Sequence, residues 1–107
     1  MAGSFGEMGN LLKQAQEMQR QLERIRSELA EAKVEGTAGG GAVRVEVTGD
    51  RKVQSISISD EVVGTGDKSM IEDLVLTAVQ DGLTKAEQLA EATMTKVTGG
   101  MQLPGMF

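Results

Sequence analysis

The sequence predicts an α+β domain built as helix, three antiparallel strands and helix, and three observations carry that prediction. Apolar residues recur in alternating steps of three and four over residues 8–32. Over residues 34–59 β-branched residues take over and the apolar period drops to two. From about Ser69 to Val97 helical spacing returns with a broader apolar face. A chain of 107 residues supports one core rather than two. The expectation is a single domain over 1–107, with residues 1–9 as a flexible start and 99–107 as an apolar tail.

In the first helix Met8, Ala15, Leu22 and Leu29 take one seam position and Leu11, Met18, Ile25 and Ala32 the other, a narrow stripe of period 3.5. Ser4 with Glu7 fits a capping box, Asn10 is the rival cap, and Gly6 and Gly9 weaken the first turn. A helix of ~25 residues is ~37 Å long. A compact domain of this size is only ~34 Å across, so part of the seam overruns it and needs a cover. A second copy is the expected cover, because two-fold homodimers are common and a heptad stripe is self-complementary. Leu11, Met18, Leu22, Ile25 and Leu29 are the candidate dimer-interface residues.

The strands are expected at 34–38, 42–48 and 52–59, joined by glycine turns at 39–41 and at Gly49-Asp50. Val43, Val45 and Val47 share a face with Ile56 and Ile58, whether the second loop has two residues or four. Val53 then falls on the opposite face with Arg44, Glu46 and Thr48, as an exposed valine. After a polar turn at 64–67, either Asp67 or the Ser69–Glu72 pair caps the second helix. Ile71, Leu74, Val75, Ala78, Val79, Ala86, Leu89, Ala90 and Val97 give it a face suited to lying on a sheet, and Gly99-Gly100 ends it.

Composition excludes most chemistry. The chain has no cysteine and no histidine, which removes disulfides, thiolate nucleophiles, imidazole bases and the usual zinc ligands. No pair of carboxylates sits in an apolar setting suited to acid–base work. The stretch TAGGGA at 37–42 lacks the following Lys-Ser/Thr of a phosphate loop and joins two strands, so it reads as a turn. Asp60, Glu61, Asp67, Glu72 and Asp73 match no calcium loop and suit helix starts. The expectation is no enzyme, no metal and no cofactor. With no basic-then-apolar start and no run of ~20 apolar residues, a cytoplasmic protein without a membrane segment is expected.

The formal charge is −5, yet it is unevenly spread. Lys13, Arg20, Arg24 and Arg26 face only Glu17 and Glu23 in their stretch, whereas residues 60–73 hold one lysine against five carboxylates. Lys13, Arg20 and Arg24, at steps of seven and four, form a basic ridge away from the seam. Two phenylalanines provide no platform for stacking unpaired bases, so duplex backbone is the fitting nucleic-acid target.

Two stretches, GNLLKQAQEMQ at 9–19 and MIEDLVLTAVQDGLTKAEQL with VTGGMQLPGMF within 70–107, make a specific combination. On these the chain resembles the YbaB/EbfC family of nucleoid-associated proteins over essentially its whole length. The resemblance implies an αβββα protomer, a tweezers-like homodimer with protruding helices, and double-stranded DNA binding in the bacterial nucleoid with little or loose sequence preference. Effects on nucleoid organisation and gene expression would follow, without catalysis. Lys13 carries over within the matched KQAQ stretch, while Arg20, Arg24 and Arg26 are DNA-contact candidates on local charge. The alternative is a protein-binding adaptor whose tail recruits a partner protein. Met101, Leu103, Met106 and Phe107 are costly to leave in water, and Gly99, Gly100 and Pro104 supply bends, so the tail is expected to lie over apolar surface of its own dimer or of a partner.

Overall fold

The structure, a computed structural model, describes the backbone of residues 2–99 and the side chains of residues 6–96. The elements are α1 (Ala2–Glu31), β1 (Lys33–Ala38), β2 (Val43–Thr48), β3 (Val53–Ile58), a short α2 (Asp60–Gly64) and α3 (Lys68–Gly99). This is the αβββα order that the periodicities predict, with α2 added. Of the expected apolar tail at residues 99–107, Gly99 belongs to α3 and residues 100–107 lie outside the described residues. No helix among the described residues is long and apolar enough to cross a membrane.

α1 starts at Ala2, so Ser4 and Asn10 are interior and neither is the cap. Gly6 and Gly9 do not interrupt it, because a glycine disfavours a helix interior by only about 1 kcal/mol and good helix formers follow at Met8, Leu11 and Leu12. The helix then overruns the core. The molecule measures 77 × 26 × 18 Å with a radius of gyration of 21.1 Å, against ~13 Å for a compact chain of this size.

The antiparallel sheet has the order β1-β2-β3. Val34, Gly36 and Ala38 of β1 pair with Val47, Val45 and Val43 of β2, which sets these residues on one face. Val43, Val45 and Val47 are fully buried there under α3, with Ala78 and Ala86. The glycine turn between β1 and β2 is real, and Gly39, Gly40 and Gly41 all have positive φ, which few other residues adopt without strain.

The second hairpin departs from the expectation. Its loop holds three residues, Gly49, Asp50 and Arg51, closed by the Thr48 N–H donating to the Lys52 carbonyl at 2.9 Å. A bulge between Glu46 and Val47 then shifts the register, so that Glu46 faces Ser55 but Val47 faces Val53. The bulge inserts one residue and brings Val53 onto the inner face with Ile56 and Ile58, not onto the outer face with Arg44 and Glu46.

α2 is an addition to the expected elements, since the third strand is expected to end at residue 59 and the polar turn to lie at 64–67, with residues 60–63 assigned to neither. Ser59 caps it, its Oγ accepting from the Val62 N–H at 3.3 Å, and Val62 is its buried anchor. At α3 the two cap candidates resolve. Met70 N–H donates to Asp67 Oδ1 at 3.1 Å, so Asp67 is the cap and Ser69 lies inside the helix.

The two sheet edges differ. The β1 edge is sealed by α3: the Thr37 N–H donates to Asp81 Oδ2 at 2.9 Å, and Lys85 Nζ donates to the Glu35 carbonyl at 3.0 Å. β3 is the other edge, with no further strand beside it among the described residues. α3 lies over β1 and β2. Val53 and Ile56 are consequently exposed and Ile58 is half-buried.

Candidate nucleic-acid interface

α1 positions the basic side chains by simple helical arithmetic. At about 100° per residue, Lys13, Arg20 and Arg24 fall within a sector of about 40° on the side opposite the seam. All three are exposed. Arg26, also exposed, lies more than about 100° around the axis from that ridge, so the helix does not bring it to the same surface. Gln16 and Gln19 share a shallow surface cleft with Arg20 and Glu23. Their amide groups can donate to phosphate oxygens, and their signal in the sequence was only the polar spacing beside Arg20.

The ion pairs separate the cations into two groups. On the outer face of the sheet Lys33 pairs with Glu46 at 3.3 Å and Arg44 with Glu35 at 3.8 Å. Lys52 pairs with Asp50, Lys68 with Glu72 and Lys85 with Asp81. Among the described residues Lys13, Arg20, Arg26, Arg51 and Lys96 make no ion pair, and Arg24 has only an exposed contact to Glu28 at 3.8 Å. Such a surface pair contributes little and leaves Arg24 free to turn toward a phosphate.

The carboxylates that the fold uses are held in their charged form. Asp81 is lowered from its ordinary value first by the Thr37 N–H and then by Lys85. Asp50 is lowered chiefly by the hydroxyl of Thr48, which donates to it, with Lys52 adding to the effect. Among the described residues no cluster of acidic side chains is disposed to hold a metal ion. A second groove of about 520 Å³ is lined by Arg51, Glu87, Ala90, Glu91, Met94 and Thr95. Its two glutamates oppose an anionic ligand.

The sheet fixes where these charges sit along the molecule. α1 joins β1 at its Lys33 end. At the other end of β1, Leu74 near the start of α3 packs beside Gly39, and α2 follows β3 where Ile58 pairs with Val43. Asp60, Glu61, Asp67, Glu72 and Asp73 thus crowd one end of a 77 Å molecule, and the basic ridge projects from the other.

The candidate interface residues of the seam divide in the same direction. Ile25 and Leu29 are buried within their own chain, where α1 meets α3 and β2, and are not on a free surface. Leu22 is half-buried, while Leu11 and Met18 are exposed. Periodicity identifies the stripe but cannot show which part the chain covers by itself.

Residues 5–101 match the YbaB/EbfC DNA-binding family. The chain belongs to that family. Its relatives in the YbaB/EbfC family include a nucleoid-associated protein of Acetivibrio thermocellus, 47% identical over 106 residues that cover 98% of this chain and 94% of the relative. Another, from Chloroflexus aurantiacus, is 52% identical over 97 residues, covering 91% and 95% of the two chains, and is also named a nucleoid-associated protein. The fold is similar to the crystal structure of an uncharacterised protein of Helicobacter pylori, with a TM-score of 0.71 at 20% identity over 88% of this chain and 96% of that one. Those YbaB/EbfC relatives align over the α1 stretch as well as the core, so the ridge lies within the family's span.

Proposed function

We propose that this YbaB/EbfC protein binds double-stranded DNA in the bacterial nucleoid as a homodimer, through phosphate contacts from the α1 ridge and with little sequence preference. The observation that carries the reading is the grouping of Lys13, Arg20 and Arg24 on one exposed face of α1. Five of the sixteen carboxylates crowd the far end and the core cations are already paired, so an overall acidic chain is left with a local positive patch where Lys13, Arg20 and Arg24 share one face of α1, with Glu17 among them. Lys13, Arg20 and Arg24 are point contacts on a convex helix with no aromatic beside them, which suits backbone rather than base readout. The apolar strip of Val53, Ile56 and Ile58 on the open β3 edge supports a second copy of the chain there. Two ridges on one dimer would then grip a duplex at two places.

The test is duplex binding at two salt concentrations for wild type and for K13Q R20Q R24Q. The expected result is uniformly weaker binding on unrelated sequences and a log–log salt slope flatter by about 0.9 for each phosphate no longer neutralised. A triple variant that binds as wild type moves the site to Arg26, Arg51 or Lys96. No duplex binding by wild type at either salt concentration favours the adaptor reading.

A further inference from the structure

α1 carries one apolar stripe, and the described residues cover only half of it. Ile25 and Leu29 are buried, whereas Met18 is 37% exposed, Met8 61% and Leu11 64%. These residues share the seam face with Ala15, so the stripe runs on unbroken where its cover stops. The position of that stop follows from the course of α3. That helix runs antiparallel to β1, from Leu74 beside Gly39 to Gly82 against Gly36. Farther along, Glu87 and Glu91 stand beside Arg51 of the second hairpin loop, and Gly49 of the same loop abuts Leu29 of α1.

Residues 87–91 of α3 are therefore level with Leu29. Eight to twelve further residues take α3 to Gly99, about 12–18 Å onward, which is the level of residues 17–21 on the antiparallel α1. The overall length agrees. Laid end to end, helices of 30 and 32 residues would measure ~93 Å, so a 77 Å molecule leaves them an overlap of about 16 Å.

The described part of α3 thus reaches the level where the uncovered stripe begins, and the sequence continues with Met101, Leu103, Met106 and Phe107. Seven extended residues reach ~23 Å, and Met18 to Met8 is ~15 Å along a helix. We infer that residues 101–107 dock on the α1 stripe of their own chain, on Met8, Leu11, Ala15 and Met18, and complete the seam that α3 starts. Methionines on both sides suit an irregular, adaptable contact. The docked segment stiffens the protruding arm and leaves Lys13, Arg20 and Arg24 open on the opposite side. The inference does not rest on DNA binding, and its test contains no DNA.

The chain has no cysteine, so introduced thiols report alone. In the full chain, L11C with M106C is expected to form a disulfide within one chain at least tenfold faster than Q16C with M106C, since Gln16 lies about 120° from the centre of the exposed stripe. Ending the chain after Gly99 is expected to speed amide exchange over residues 8–18 at least tenfold and to lower the melting temperature by several degrees. Equal rates for the two cysteine pairs overturn the inference. So does a disulfide that joins two chains at dilute protein, which would place a second copy's α1 or tail on the stripe. If the cysteine variants fail to fold, exchange decides with native residues only: an unchanged rate over 8–18 after truncation overturns it.

Discussion

Gly82 of α3 crosses Gly36 of β1 so closely that a methyl group on Gly36 would lie 2.6 Å from the Gly82 Cα. The same crossing sets the helix against β2, since a methyl group on Gly82 would meet Val47 Cγ2 at 2.7 Å. Two glycines in register let the backbones approach without side chains between them, and this approach buries Val45 and Val47. Gly82→Ala is accordingly expected to lower stability by about 1–3 kcal/mol, the usual penalty for overpacking a core. Gly64→Ala, at a position with open space around it, serves as control and should be near neutral. Urea midpoints of the two variants check the difference.

The division of the seam separates folding from assembly. Ile25→Asp would place an unpaired carboxylate in the chain's own core and is expected to unfold the protomer, because an isolated buried charge costs several kcal/mol at least. Ile56→Asp changes a residue that is 48% exposed on the open edge strand. If the second copy sits there, this variant keeps its helical circular dichroism and sediments as a monomer at concentrations where wild type is a dimer. A monomeric wild type removes the homodimer.

Acid should loosen the sealed edge of β1. Asp81 and Asp50 are both lowered in the folded state, so they bind fewer protons folded than unfolded and contribute stability that is complete above the unfolded carboxylate range, near about pH 4. That contribution is lost as the pH falls through the lower folded values. Asp81→Asn is expected to be less stable than wild type near neutral pH and to lose less on acidification. Urea midpoints at about pH 6 and about pH 3 test this, and parallel declines for the two proteins would detach Asp81 from the effect.

Element types were legible wherever one period runs long enough to exclude the other, as from Leu11 to Leu29 or from Val43 to Val47. The ridge of Lys13, Arg20 and Arg24 was legible for the same reason, because its geometry is that of a single helix. The bulge beside Val47 was not, since a register shift leaves no mark in a stretch whose apolar residues alternate on both sides of it. Ser59 and Ser69 are chemically equivalent caps, and only the packing of Val62 and the reach of Asp67 decide which serine begins a helix. Gly36 with Gly82 and Glu35 with Lys85 join positions far apart in sequence, so no local pattern announces them.

Arg51 offers a test that sets stability against DNA binding at one residue. It is the described non-glycine residue with positive φ, at 66°, in the third position of the loop between β2 and β3. That position of a three-residue hairpin ordinarily takes glycine, because a side chain in the left-handed region disfavours it by about 1–2 kcal/mol. Glycine also loosens the unfolded chain, which offsets part of the gain. Arg51→Gly is expected to raise stability by about 0.5–1 kcal/mol net, or roughly 2–5 °C in melting temperature for a domain of this size. Arg51 makes no ion pair among the described residues, so the substitution breaks none. If the α1 ridge is the duplex site, the variant binds DNA with the affinity and salt slope of wild type. A more stable protein with weakened duplex binding would instead place Arg51 at the interface.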